Sequence, residues 1–200
     1  MLNNPKARKA MSAVLEPPAR LLLRLHVSPD AITVLGTCLA VATALICFPS
    51  GQFILGPLLI TLFAFSDLLD GTMARMRGTS GPWGNFLDAT LDRVADGAIF
   101  GGIVLWGALN DDIGVTAAAL LCLVMGQVTS YAKARAEAVG ATANVGIAER
   151  AERLIVVLLA VFITGFGVPY VLPVALWALG ILGFITVIQR IWTVRGQLKS

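Results

Sequence analysis

Six long apolar segments dominate this chain and limit most strongly how it can fold. A bilayer core takes about 20 apolar residues for each helical crossing, and these segments approach or exceed that length. The sequence is 57% hydrophobic and only 14% charged, which excludes a water-soluble monomer. We therefore predict an all-α integral membrane protein with six transmembrane helices. The predicted segments cover residues 31–49, 52–70, 83–108, 113–134, 153–168 and 170–192.

Residues 1–29 precede the first apolar segment and mix basic with apolar side chains. This pattern predicts an amphipathic helix on the membrane surface, broken where Pro17 and Pro18 remove backbone donors. We predict one membrane domain over residues 1–200, with 1–29 as its juxtamembrane segment.

All 15 Lys and Arg residues fall on one side of the predicted topology. The connections near residues 49–52, 109–113 and 168–170 contain none of them. By the positive-inside rule, both termini and the longer connections lie in the cytoplasm. We therefore expect a multi-pass protein of the cell membrane whose functional site faces the cytoplasm.

Four aspartates flank the connection between the second and third apolar segments. Asp67 and Asp70 are three residues apart, and Asp88 and Asp92 are four apart, so on helices each pair shares a face. If the helices are antiparallel neighbours, the carboxylates converge and a divalent cation would offset their repulsion. Oxygen ligands favour Mg²⁺ or Mn²⁺. The alternative is that these acids cap helices or pair with nearby arginines.

Two glycines extend this acidic pattern. Gly71 directly follows Asp70, and Gly84 stands four residues before Asp88, so neither adds a side chain beside the acids. A bulky ligand could approach the backbone there. The combined pattern is D-x2-D-G-x2-A-R-x8-G-x3-D-x3-D. Its fixed positions are Asp67, Asp70, Gly71, Ala74, Arg75, Gly84, Asp88 and Asp92.

This pattern resembles the signature of the CDP-alcohol phosphotransferase family of integral membrane enzymes. The resemblance implies that an alcohol displaces CMP from a CDP-linked donor with the help of two Mg²⁺ ions, or Mn²⁺ in their place. It implies a homodimer, with Asp92 as general base and metal contact. The principal metal ligands would be Asp67, Asp70 and Asp88. The nucleotide and diphosphate site would be shaped by Gly71, Ala74, Arg75 and Gly84.

Further runs resemble the actinobacterial members of this family that join 1D-myo-inositol 3-phosphate to CDP-diacylglycerol. These are the runs P-D-x2-T, S-x2-K-x-R and E-R-x-E-R-L-I, and a terminal Q-R. The resemblance implies that the phosphorylated acceptor is bound by Ser130, Lys133, Arg135, Arg153 and Arg190. It implies that the donor is contacted by Asp30, Ala31, Ile32 and Thr33, and by Ser80 and Gly81.

Several alternatives remain at this point. The acceptor could be glycerol 3-phosphate, which would give phosphatidylglycerol phosphate. A cation transporter is disfavoured because the only acids towards the far side are Asp111 and Asp112. Asp30 could simply cap the first helix, and Asp96 could join the acidic site or pair with an arginine. The remaining basic residues are expected to contact membrane lipids and not nucleic acid.

Two small residues in the third segment also bear on packing. Gly97 and Gly101 form a small-xxx-small pair, which permits close helix packing within the subunit or across a dimer.

Overall fold

The computed structural model describes residues 5–78, 81–147 and 149–199, without the side chains of residues 5–13 and Asp67. This part of the chain contains helices and no strand, which confirms the all-α class. The helices are α1 (Pro5–Arg24), α2 (Pro29–Cys47), α3 (Leu55–Ala64), α4 (Ser66–Arg77), α5 (Pro82–Leu109), α6 (Ile113–Ala138), α7 (Arg150–Thr164) and α8 (Val171–Lys199).

Four stretches of the described chain are helical, long and apolar enough to cross a membrane, so the protein is a multi-pass membrane protein. Helix α5 is long, at 28 residues, but its first half is rich in charged residues. Helix α7 has only 15 residues, which is short for a full crossing. The six-span count therefore stays a prediction. The four stretches are Pro29–Cys47, Leu55–Arg77, Ile113–Ala138 and Val171–Lys199.

The second apolar segment is interrupted at Phe65. Its N–H bonds to the Leu62 carbonyl at 3.2 Å, and the Leu68 N–H bonds to the Phe65 carbonyl at 3.2 Å. Both bonds span three residues, the tighter 3₁₀ spacing, so the α-helical register changes here. The predicted single helix is thus two helices, and α4 begins just before the first acidic pair.

The predicted break at Pro17 and Pro18 is wrong, because α1 continues through both residues. Proline has a helical φ angle, so its cost inside a helix lies in the missing hydrogen bond and in crowding of the preceding turn. Helix α1 packs against α4 and Ala19 is fully buried. Tertiary packing of this kind offsets weak intrinsic helicity. The position of α1 on the membrane surface stays a prediction.

The chain divides into two compact units. Unit 1 comprises Met1–Ala42 and Leu58–Ala95, and unit 2 comprises Thr43–Pro57 and Asp96–Ser200. The prediction of one domain over the whole sequence stays a prediction.

In unit 1, the first part of α2 lies close to α4. An added Cβ on Gly36 would lie 2.8 Å from the Ser66 Cβ, so this approach requires glycine. Met73 of α4 is fully buried and Ile60 of α3 nearly so. This packing holds the beginning of α2 and the beginning of α4 together.

In unit 2, α6 packs along α8, and α7 also packs against α8. The contact between α6 and α8 uses glycines, because an added Cβ on Gly180 would lie 2.7 Å from Leu121 and one on Gly183 would lie 3.0 Å from Met125. The close backbones also allow the Cys122 thiol to donate to the Leu176 carbonyl at 3.0 Å. Unit 2 is therefore a tightly packed helical bundle.

In unit 2, helix α5 approaches the last turns of α2 closely at Gly102. An added Cβ there would lie 2.5 Å from the Ala44 carbonyl oxygen. At Gly97 and Gly101, an added Cβ would meet no described atom within 4 Å. The small-xxx-small pair is therefore not packed against the described part of the subunit.

We predict that Gly102→Ala lowers the thermal stability of the protein in detergent. The new methyl group would press on backbone, and such overpacking typically costs about 1–3 kcal/mol. Gly196→Ala on α8 is the control, because Gly196 is exposed with open space beside it and alanine favours a helix over glycine. Equal melting temperatures for the two variants would contradict the close approach at Gly102.

Candidate active site

Asp70 is the buried member of the acidic pattern in unit 1. Asp70 is 8% exposed, and its carboxylate Oδ2 accepts a hydrogen bond from the Thr33 hydroxyl. Asp88 of α5 and Asp30 of α2 lie near enough to interact with it electrostatically. The beginnings of α2 and α4 thus bring together residues predicted to serve the donor and the metal.

Asp30 does not cap α2 in the way the sequence left open. The cap is Ser28, whose Oγ accepts from the Ala31 N–H at 3.2 Å. The Asp30 carboxylate instead accepts from Trp83 Nε1 of α5 at 2.9 Å. Asp30 therefore links the beginning of α2 to the beginning of α5 within unit 1. The role of Trp83 was missed, because its partner lies 53 residues away in the sequence.

The rest of the acidic pattern lies on α4 and α5. Asp88 is exposed and Asp92 is half-buried. Asp67 lies in α4, but its side chain is outside the described set. Among the described side chains, no group of three or more His, Cys, Asp or Glu residues is close enough to hold a metal ion. The four-carboxylate cluster therefore stays a prediction.

The donor set of this acidic region is nevertheless suited to a hard divalent cation. It offers carboxylate oxygens, and negative charge gathers around the buried Asp70 from Asp88 and Asp30. Magnesium and manganese bind oxygen ligands of this kind. The residues present therefore fit such an ion in their chemistry.

Both signature glycines border open space. An added Cβ on Gly84 would meet no described atom within 4 Å, and one on Gly71 would meet only Arg75 Nη1, at 3.7 Å. Arg75 is exposed, and its Nη2 donates to the Thr72 hydroxyl at 2.9 Å. A ligand could thus approach the backbone at either glycine, as the sequence predicts.

The other predicted donor contacts lie in the first turn of α2, in the second half of α4, directly before α5 or outside the described residues. Ala31 is exposed and Ile32 half-buried in the first turn of α2, and Ala74 is half-buried on α4. Gly81 is exposed directly before α5, whereas Ser80 lies outside the described residues.

Unit 2 contains two buried arginines. Arg153 of α7 is 3% exposed and Arg190 of α8 is 5% exposed. Arg190 donates from Nη1 to the Thr129 carbonyl at 2.6 Å and from Nε to the Val145 carbonyl at 3.0 Å. The Arg153 guanidinium lies beside Gly126, where an added Cβ would be 3.5 Å from Nη2. Both arginines therefore reach α6 from different helices.

Helix α6 carries further polar residues on the face that contains Gly126. Gly126, Ser130 and Lys133 follow at intervals of four and three residues and so share one face of the helix. The Ser130 hydroxyl donates to the Gly126 carbonyl at 3.1 Å. Lys133 and Arg135 are exposed.

Thr129 is a polar residue of α6 that sequence reasoning missed. It is 2% exposed, and its Oγ1 has no hydrogen-bond partner among the described residues. A buried hydroxyl in this state is unusual, since burial without a partner costs free energy. Nothing in the sequence separates Thr129 from an ordinary core threonine.

Asp96 pairs with arginines, which settles the alternative that the sequence left open. Its Oδ1 accepts from Arg150 Nε at 3.1 Å, and its Oδ2 lies 3.9 Å from Arg153 Nη2. Unit 2 therefore combines buried positive charge with one buried carboxylate, whereas the acids of the signature lie in unit 1.

Comparison with known proteins identifies the family. The model of the CDP-alcohol phosphatidyltransferase family matches residues 26–191. This chain belongs to that family, which confirms the resemblance.

Two similar relatives are both phosphatidylinositol phosphate synthases. The chain is 50% identical to a phosphatidylinositol phosphate synthase of Streptomyces avermitilis, over 97% of this chain and 83% of the relative. It is 48% identical to one of Cutibacterium acnes, over 96% of this chain and 98% of the relative.

Two crystal structures of the Mycobacterium tuberculosis phosphatidylinositol phosphate synthase are also similar. The one with CDP-DAG bound has a TM-score of 0.88 at 44% identity, covering 91% of this chain and 94% of that chain. The one in complex with manganese and citrate has a TM-score of 0.86 at 45% identity, covering 89% and 87%.

We predict that Thr33→Val destabilises the protein by about 1–3 kcal/mol, because a buried carboxylate oxygen loses a donor. Thr33→Ser keeps the hydroxyl and should remain closer to the wild type. Thermal unfolding of the purified variants in detergent measures the difference. If valine and serine at this position gave the same melting temperature, the hydrogen bond to Asp70 would contribute nothing to stability.

Proposed function

We propose that this protein transfers the phosphatidyl group of CDP-diacylglycerol to 1D-myo-inositol 3-phosphate, which yields phosphatidylinositol phosphate and CMP. The observation that carries the proposal is the similarity to phosphatidylinositol phosphate synthases over nearly the whole chain. The related structure that contains CDP-DAG supports the choice of donor. In the reaction an acceptor hydroxyl oxygen bonds to the phosphatidyl phosphorus, and the bond from that phosphorus to CMP breaks.

The acidic residues of the signature would hold divalent cations. Mg²⁺ is the expected ion, with two bound, and Mn²⁺ is an alternative that the related manganese complex supports. Bound cations offset the negative charge of the diphosphate and of departing CMP. The buried Asp70, its hydrogen bond from Thr33 and the nearby Asp88 support this assignment. The ligands would be Asp67, Asp70, Asp88 and Asp92.

Asp92 would act as the general base. A carboxylate within hydrogen-bond reach of the acceptor hydroxyl can take its proton as the new bond to phosphorus forms. Asp92 is half-buried, so its carboxylate is partly shielded from water but still accessible. Asp70 is less suited to this task, because it is buried.

The donor would lie along the helix beginnings of unit 1. The open space at Gly71 and Gly84 supports a ligand at the backbone there. Arg75 is exposed and could meet the diphosphate charge. The full set of donor contacts would be Asp30, Ala31, Ile32, Thr33, Gly71, Ala74, Arg75, Ser80, Gly81 and Gly84.

The acceptor phosphate would be bound by the basic residues of unit 2. Burying a guanidinium in membrane helices is costly, so Arg153 and Arg190 are expected to serve an anionic ligand. Arginine offers five N–H donors, and a phosphate can accept two of them side by side. Free inositol carries no charge that would need such a cluster. The acceptor contacts would be Ser130, Lys133, Arg135, Arg153 and Arg190.

The one-sided distribution of Lys and Arg supports a cytoplasmic location for the site and for both termini. A homodimer would cover the small residues Gly97 and Gly101 of α5, beside which the described subunit leaves open space. Crosslinking in native membranes would test the dimer.

We predict that the purified protein with Mg²⁺ and CDP-diacylglycerol releases CMP when given inositol 3-phosphate, and not when given free inositol. Glycerol 3-phosphate is the third acceptor in the assay. Turnover with glycerol 3-phosphate alone would support the phosphatidyltransferase activity but would show that the proposed acceptor is wrong. No CMP release with any of the three would overturn the proposed function and favour the transporter alternative.

Two arginine variants of α8 test the acceptor site in this assay, one as the probe and the other as its control. Arg190→Gln should raise KM for inositol 3-phosphate about tenfold to a hundredfold, as expected for the loss of charged hydrogen bonds. Arg195→Gln should leave KM unchanged, because Arg195 is exposed and lies over the Trp192 ring at 5.7 Å.

We predict that Asp92→Asn lowers the rate of CMP release about 100-fold to 10,000-fold, the usual contribution of a general base. The amide keeps the shape of the side chain but cannot accept the proton at neutral pH. The melting temperature should stay close to that of the wild type. Near-normal turnover by Asp92→Asn would exclude Asp92 as the base.

A further inference from the structure

Asp96 is a buried acid that the proposed reaction does not use directly. It is 4% exposed on α5 and interacts with two arginines at the beginning of α7. Arg150 Nε donates to one carboxylate oxygen at 3.1 Å, and Arg153 Nη2 lies 3.9 Å from the other. Each oxygen of Asp96 thus faces a different guanidinium.

The charges in this cluster do not cancel. One carboxylate faces two guanidinium groups, so Asp96 by itself offsets only one of the two positive charges. Burial of a lone carboxylate would be costly, but two cations compensate for it. Asp96 can therefore hold the arginines without removing their attraction for an anion.

Arg153 is also restrained by its other neighbours. Its Nη2 lies 3.9 Å from Asp96 Oδ2 of α5 and 3.5 Å from the position that a Cβ on Gly126 of α6 would occupy. The first turn of α7 is fixed by a capping box, in which Glu152 accepts from the Glu149 N–H at 3.0 Å. The backbone and the charged end of Arg153 are thus both held in place.

A long arginine side chain loses conformational freedom when it binds a ligand. A partner that holds it beforehand reduces this loss and improves affinity. We propose that Asp96 is a positioning residue, which orients Arg153 to receive the phosphate of the acceptor. The proposal rests on the proposed function, since Arg153 is there an acceptor contact.

The test compares Asp96→Asn with the wild type in the CMP-release assay. We expect KM for inositol 3-phosphate to rise about twofold to a hundredfold, the range that coupling between contacting residues produces. The value of kcat and the KM for CDP-diacylglycerol should change little. Asp111→Asn is the matched control, because Asp111 is exposed in a connection and asparagine tolerates its φ of 55°.

A double-mutant cycle distinguishes positioning from a general structural role. If Asp96 acts through Arg153, adding Asp96→Asn to Arg153→Lys should raise KM little beyond the single Arg153→Lys variant. Additive effects of the two changes, or an unchanged KM in Asp96→Asn, would overturn the positioning role. If Asp96→Asn does not fold, Asp96→Glu replaces it in the same cycle, since it retains the charge and shifts it by one methylene.

The same assay separates this proposal from the function on which it rests. A wild type that releases no CMP with inositol 3-phosphate would refute the proposed function and with it the positioning role. A wild type that is active, with Asp96→Asn equally active at low acceptor concentration, would refute only the role of Asp96.

Discussion

Charged groups inside apolar helices need partners, and the structure of this protein depends on how it supplies them. A carboxylate or guanidinium placed among membrane helices is costly unless it is paired or hydrogen-bonded. Here each buried charge has such a partner. Asp70 accepts from Thr33, Asp96 faces two arginines, and Arg190 donates to two backbone carbonyls. These contacts join helices that are distant in sequence and so help to define their packing.

The buried charges of the two units differ in sign, with acids in unit 1 and mainly arginines in unit 2. In unit 1 the acids gather around Asp70, and an added cation would relieve their repulsion. In unit 2 the buried arginines outnumber the one buried acid beside them, and an added anion would be favoured. A phosphatidyl transfer needs both properties, because the diphosphate of the donor is usually bound with metal ions and the phosphate of the acceptor with arginines.

The sequence predicts the helices and the signature residues well, because both are local patterns. The six apolar segments lie mostly in helices, although the second is divided between α3 and α4. The spacing of the acids identifies the family before any geometry is known. The break at Phe65 could not be predicted, because neither proline nor glycine occurs between Leu58 and Asp70. The continuous α1 was mispredicted for a different reason. Its two prolines argue for a break, and only packing against α4 compensates for them.

Side-chain contacts that depend on how a helix is rotated about its axis also cannot be predicted from the sequence. Asp88, Asp92 and Asp96 follow at four-residue intervals on α5, so their spacing alone does not distinguish them. Their surroundings differ, since Asp88 is exposed, Asp92 half-buried and Asp96 buried against arginines. Burial and neighbours decide whether a carboxylate binds a cation, takes a proton or holds a guanidinium. Three identical residues on one helix can therefore serve three different tasks, and only the packed structure separates them.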